Sequence, residues 1–515
     1  MEEGKPTRRE ILKGGALATL GALIGIHSTS TFAEKRSAQG SGLAAEYANY
    51  DALGLAELIA KKQISPLELL SAVRERVEIL NPKLNALCHL FFDKAETQIR
   101  AGLGNGPFRG VPFVLKDIGV YLQGTITTSG SRVWKNFVAP FNSTVVERYK
   151  RAGLVIFGKT TTPELGLTNT TESLLFGQTH NPWNPERTAG GSSGGAAAVV
   201  ASRIVPMAHG LDGGGSIRTP ASCCGVFGFK PTRDRVPLGP SDFEGWAGCV
   251  QSHALTMTVR DSAALLDISC GAELGSPFFS PPPTRSFLKE AGTHPGSLRI
   301  AMALETPDGT PLDPECKRAA MDAAKLCESL GHKVEEVTLP VNNAAMRWSH
   351  STIVQVSVAR AMDNAAKRLG RPVTDKDFEP VTLAVAESGR KITSVAYSQA
   401  IATMHQVGLA MAKFQQTYDV ILSPTLAELP VPLGLLSLSQ PNPNAWLKEV
   451  IQFAPYTALY NVTGQPSMSV PLHWSPDGLP VGVMFSGRFG EDGTLFRLAG
   501  QLEQASDWRK RKPRL

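Results

Sequence analysis

Two hydrophobic periodicities alternate along this chain. "ISPLELLSAVRERVEIL" (64–80) carries apolar residues at helical spacing, with Ser65 as cap, Pro66 in the first turn and Glu68 closing a capping box, and it predicts a helix. Short, nearly continuous apolar runs of the buried-strand type follow: "GVPFVLKD" (110–117), which ends in Lys116, "LVIFGKT" (154–160) and "RIVPMAHGLD" (203–212), the last interrupted by Pro206. "LRIAMAL" (298–304) predicts a further strand, and a helix runs from Asp313 to about Leu330, where Gly331 stops it. "DVILSPT" (419–425), "PSMSVPLHW" (466–474) and "PVGVMFSG" (480–487) predict late strands, and "TLFRLAGQLEQAS" predicts a closing helix. The segment 340–415 has helical patterning and no strand, so it reads as an insert or cap over the sheet. Strands alternating with helices over the whole body place the chain in the α/β class.

Composition changes this picture little. The 515 residues are 42% apolar and 19% charged, as in an ordinary globular protein. "GSPFFSPPPTRS" (275–286) is linker-like, and it reads as an excursion within one domain spanning 51–515. The formal charge of +6 is local: "WRKRKPRL" at the C-terminus carries +5 and the first 33 residues +1, so the body is near neutral. That balance argues against a nucleic-acid surface, and the basic tail reads as a solvated end.

The amino terminus has its own pattern. Arg8 and Arg9 precede the apolar run "GGALATLGALIGI", and "TFA" closes at Ala33. This is the layout of a cleaved export signal, and the paired arginines resemble the twin-arginine type. The run is too short to span a bilayer, which takes about 20 residues. Residues 1–33 are therefore expected to be removed, 34–50 to form a flexible mature N-terminus, and the product to lie outside the cytoplasm without stable membrane insertion. Seven cysteines, two of them adjacent at 223 and 224, do not form a disulfide framework and read as small core residues. No C-x-x-C or H-E-x-x-H occurs, so nothing points to a metal.

Two glycine-rich loops carry the chemistry. "NPWNPERTAGGSSGGAAAVVASR" (181–203) places Gly190 to Gly195 directly before good helix formers. The string contains G-x-S-x-G, but the proline- and asparagine-rich stretch before it is no central strand, which argues against a nucleophile elbow. The Gly-Lys-Ser/Thr ending of a phosphate loop is also missing. In "GLDGGGSIRTPASCCGVFGFKPT" (210–232), Gly213, Gly214 and Gly215 precede Ser216, a layout that lets backbone N–H groups converge on an oxyanion beside a serine hydroxyl. Taken alone, that loop reads equally as a tight turn. A hydroxyl nucleophile also needs a base. None of the ten histidines, His209 included, stands in a telling context. Lys116 could serve if burial lowered its pKa, although a lone strand-end lysine reads more readily as a snorkelling surface residue.

Lys116, Ser192 and Ser216 with their two loops, together with "DVILSPT", "YNVTGQPSMSVPLHWSPDGLPVGVMF" and "ISPLELLSAVRERVEILNPKLNAL", resemble the amidase signature family from about residue 50 onward. The resemblance implies a single α/β/α domain around a mixed, twisted sheet. It implies Ser216 as the acyl-forming nucleophile, Ser192 as a bridging serine after a cis peptide from Gly191, and Lys116 as the base that starts the proton relay. The amides of Gly213, Gly214, Gly215 and Ser216 would form the oxyanion hole, with Asp212 and Arg218 bracing the loop and no cofactor or metal. One departure stands at Leu211, where many relatives carry a small hydroxyl residue; the hydrogen bond that steadies Ser192 is then either missing or supplied by Ser193 or Thr188.

The implied substrate is a small amide or carbamate, and the implied assembly a monomer or homodimer. Within the family, "YDALGLAELI" and "DGGGSIRTPASCCG" look most like hydrolases of the aminohexanoate cyclic dimer and urethane-cleaving amidases. Pocket residues are expected in 164–177 and 444–461, with Trp446, Phe453 and Tyr456 either lining an apolar channel or filling helix core. An amidotransferase A-subunit, a non-catalytic exported binding protein and an esterase are the alternatives; the export signal speaks against the first, and the presence of all three catalytic residue types against the second.

Overall fold

The structure, a computed structural model, describes residues 45–307 and 309–515. The expected signal segment and residues 34–44 lie outside the described residues; from 45 onward Tyr47 and Tyr50 already pack half-buried against the core. A three-stranded sheet holds β1 (Leu87–Leu90), β2 (Pro112–Lys116) and β3 (Val155–Thr160) in the order β1-β3-β2. Two short hairpins follow, β4 (Glu172–Ser173) with β5 (Gly177–Gln178), and β6 (His180–Asn181) with β7 (Asn184–Thr188). The main sheet contains β8 (Met207–Asp212), β9 (Phe227–Lys230), β10 (Gln251–Thr256), β11 (Arg299–Met302), β12 (Lys333–Glu336), β13 (Val420–Pro424), β14 (Ser467–Trp474) and β15 (Pro480–Gly487). Its order is β12-β11-β13-β15-β14-β9-β10-β8, with β11 parallel to both neighbours and the other pairs antiparallel. The sheet is mixed, as expected.

Strand alternation sets the layers. Phe229 stacks on Phe496 of helix Asp492–Ala505 at 4.3 Å between centroids. Gly228, one residue earlier, faces helix Arg218–Cys224, where a Cβ would come 2.5 Å from the Ala221 Cβ. Neighbouring positions on β9 thus meet helices on opposite faces. The Ser65–Glu68 capping box forms in both directions. The expected strand at 203–212 begins only at Met207, after Pro206, which has no N–H for a ladder. Residues 340–415 contain three helices, with Pro380–Arg390 and Ser394–Phe414 each packed against Asn343–Leu369. All seven cysteines are free. The basic tail exposes its charged heads, while Trp508 is buried and Arg511 lies over Trp474 at 4.5 Å. Among the described residues no helix is long and apolar enough to cross a membrane.

Candidate active site

Every residue of β2 is buried, because its run is apolar up to the last position. Lys116, at that position, is 1% exposed. Its Nζ donates to Ser192 Oγ at 2.7 Å and approaches the Leu211 carbonyl at 3.4 Å. Burial pushes the ammonium down from 10.5 to about 7, with the Asp212 carboxylate pulling partly back. His209 of β8 bridges the edges of the two sheets: its Nδ1 accepts from the Lys116 backbone N–H at 3.3 Å, and Nε2 lies 3.0 Å from Ser252 Oγ. Burial, helped by the Lys116 charge, pushes this ring down to about 3, so it is neutral with its proton on Nε2.

The GGSSGG turn is walled in on several sides. The Gly191–Ser192 peptide is cis. A Cβ on Gly191 would lie 2.3 Å from the Thr170 carbonyl oxygen, and one on Gly195 would lie 2.4 Å from Thr161 Oγ1. These positions are glycine because neighbouring backbone and threonine side chains fill the space. The wholly buried helix Gly194–Ala201 starts immediately behind. Neither Ser193 nor Thr188 bonds to Ser192, the roles anticipated from Leu211; Thr162 Oγ1 donates to the Ser192 carbonyl instead, at 3.0 Å. Ser193 ties the two loops together: its N–H donates to the Ser216 carbonyl at 3.1 Å and its Oγ to the Leu211 carbonyl at 3.2 Å. Thr188 shares a hydrogen bond with Thr170 and receives the Gly190 N–H.

The second loop is organised around Asp212 at the end of β8. Its carboxylate accepts the N–H groups of Gly215 (2.8 Å) and Ile217 (3.1 Å), the Arg218 guanidinium (2.9 and 3.0 Å) and Asn461 Nδ2 (2.9 Å). Burial alone would raise this acid, but Arg218 and Asn461 hold it well below the usual carboxylate range. Arg218, fully buried, also donates to the Thr457 carbonyl and to Asn461 Oδ1. The expected oxyanion set needs one correction: the Gly215 N–H is taken by Asp212, whereas those of Gly213, Gly214 and Ser216 have no acceptor among the described residues. Lys116, Ser192 and Ser216 line a single cavity of about 270 Å³. Ser216 Oγ makes no hydrogen bond there, to Ser192 or to any other described residue.

A family model described as Amidase matches residues 68–496, a span that contains Lys116, both glycine loops and Asn461. The chain belongs to the amidase family. The 6-aminohexanoate-cyclic-dimer hydrolase of Paenarthrobacter ureafaciens is 36% identical over 477 residues, covering 90% of this chain and 96% of its own length. The solved structure of 6-aminohexanoate cyclic dimer hydrolase complexed with substrate matches with a TM-score of 0.86 at 35% identity, over 91% of this chain and 99% of that one. A bacterial aryl acylamidase of the amidase signature family matches at 0.80 and 27% identity, over 90% and 99%. The protein is an amidohydrolase of this family, acting on C–N bonds.

The cavity of this amidase is walled by apolar groups that include Ile118, Leu165, Leu211 of β8, Trp246 with Val250, and Val358 of helix Asn343–Leu369. Asp242 and Arg360, both exposed and 3.8 Å apart, stand among its lining residues. Only Leu165 and Gly166 of the expected 164–177 stretch reach it. Trp446, Phe453 and Tyr456 are buried in core clusters instead, with Tyr456 OH donating to the Leu304 carbonyl at 2.9 Å. Trp246 and Val358 carry no signal in the sequence beyond a tryptophan in a glycine-rich loop and one apolar position on a long helix. Cys88, His89 and Asp117 place ligand atoms within 4.8 Å of one another. The buried Lys159 Nζ, 3.8 Å from the same Asp117 carboxylate, opposes a cation there.

Proposed function

We propose that this amidase hydrolyses a carboxamide or carbamate C–N bond through an ester formed on Ser216. The observation that carries the reading is the 2.7 Å hydrogen bond from buried Lys116 to Ser192 in the cavity that Ser216 also lines. Neutral Lys116 accepts the Ser192 proton, and Ser192 accepts that of Ser216 as the Ser216 oxygen bonds to the substrate carbonyl carbon. The Ser216–Ser192 link closes when substrate is seated, because catalytic hydrogen bonds commonly tighten only in the bound complex. The N–H groups of Gly213, Gly214 and Ser216 receive the negative oxygen. Collapse breaks the C–N bond, and the relayed proton goes to the leaving nitrogen. Water then attacks the ester, its proton passes through Ser192 to Lys116 and on to Ser216, and the acid departs. These steps call for no cofactor.

Apolar walls favour an amide flanked by hydrocarbon, linear or aryl, over a small polar one. The relatives point the same way, since those named above are a hydrolase of a cyclic aminohexanoate dimer and an aryl acylamidase. The amino-terminal pattern supports export by the twin-arginine route with cleavage after Ala33. Purified protein assayed on matched aliphatic amides, aryl amides and carbamates tests the reading. Turnover on at least one class, lost in Ser216→Ala, is expected; no amide or carbamate turnover, or a Ser216→Ala rate near wild type, contradicts it.

A further inference from the structure

The Gly213–Gly214 peptide is held from outside the loop by one side chain. His350, on helix Asn343–Leu369, donates from Nε2 to the Gly213 carbonyl at 2.9 Å. Burial holds this ring below the ordinary histidine value, with the Gly213 carbonyl and Asp212 pulling partly back, and a carbonyl acceptor fixes the ring proton on Nε2. Trp246 seats the imidazole edge-on, with centroids 6.2 Å apart and planes at 79°. The same indole lies against Gly213, where a Cβ would come 2.8 Å from the ring. Across a trans peptide, the carbonyl and the next N–H point in opposite directions. Anchoring the Gly213 oxygen on His350 therefore aims the Gly214 N–H away from it, and that N–H has no acceptor among the described residues. The following peptide is fixed separately: Thr457 Oγ1 donates to the Gly214 carbonyl at 2.6 Å, and the Gly215 N–H is bonded to Asp212.

We propose that His350 is a positioning residue for the reaction. It holds the Gly213–Gly214 peptide so that the Gly214 N–H meets the oxyanion, and its hydrogen bond polarises that peptide toward a stronger donor. His350 is not among the residues lining the cavity and touches no reacting atom. The helix that supplies it also supplies Ser357, Val358, Arg360 and Ala361 to the cavity wall. That one helix, outside the sheet, thus supplies part of the cavity wall as well as His350. This inference rests on Ser216 being the nucleophile.

The test compares His350→Phe, which keeps ring volume and loses the donor, with His350→Gln, whose amide N–H can reach the same carbonyl. His350→Leu serves as a second donorless variant if the phenylalanine does not fold, and thermal melting establishes folding for each. Removing an oxyanion donor outright costs about 10²–10³ in kcat, so disorienting one is expected to lower kcat about 10- to 100-fold in the donorless variants. KM should stay within about twofold, since the interaction matters only in the transition state. Affinity for a trifluoromethyl ketone, whose adduct carries an oxyanion, should fall by the same factor, and His350→Gln should recover most of both losses. Unchanged kcat in a folded donorless variant, a loss confined to KM, or no recovery with Gln overturns the assignment. Failure of a fluorophosphonate to label Ser216 in the wild type overturns the nucleophile reading itself, and the His350 role with it.

Discussion

The pH dependence of turnover follows from the burial of Lys116. Its ammonium is pushed from 10.5 to about 7, so charging it inside the site costs about 5 kcal/mol more than in water. A relay that starts with neutral lysine then has about half its base available at pH 7, roughly 90% at pH 8 and roughly 1% at pH 5. With Lys116 as the proposed base, the group must lose its proton to act, and activity should rise with pH. kcat/KM measured from pH 5 to 9 on an uncharged amide should climb about tenfold per unit below 7 and level off above 8. Glu164 is a rival source of such a limb, since burial pushes it up to about 7 and its neighbour Leu165 lines the cavity. Glu164→Gln should leave the limb in place. Lys116→Arg keeps a cation but removes a base that can be neutral, and should cost about 10³-fold or more. A flat profile, a limb that vanishes with Glu164→Gln, or near-normal activity in Lys116→Arg would refute the reasoning.

Two structural predictions accompany it. Gly191→Ala places a Cβ 2.3 Å from the Thr170 carbonyl oxygen, so the turn must shift, and assays on folded protein should show activity lost by about 100-fold or more. Asp212→Asn leaves Arg218 charged and buried without its carboxylate, and should lower stability by about 3–5 kcal/mol, read as a fall in the denaturation midpoint.

The site was more legible in the sequence than the sheet around it. "GVPFVLKD" announces a buried strand because all but its last residues are apolar, and glycines at 190–195 and 213–215 mark places where only backbone fits. Strands β9 and β10 lie within the main sheet but carry no strand pattern in the sequence. "FGFK" is four residues with a glycine in the middle, and "QSHALT" owes its burial to partners such as Ser262, which takes up His253 Nε2, not to an apolar pattern. In β14 the ladder shifts register between Val470 and His473, around Pro471, a local break that pattern alone does not place. His350 and Thr457 were invisible for a different reason. Each meets one carbonyl oxygen of a loop more than 130 residues away in sequence, and neither spacing nor periodicity encodes such a meeting.

The central claim is that the acyl group rests on Ser216. Trypsin cleavage at Arg187, Arg203 and Arg218 puts Ser192 and Ser193 in one peptide and Ser216, as the only serine, in the next. Enzyme mixed with an activated ester, quenched in acid within one turnover and mapped by mass spectrometry should carry the acyl mass on the 204–218 peptide. An acyl mass on the 188–203 peptide instead, or unmodified enzyme during a product burst, would contradict it.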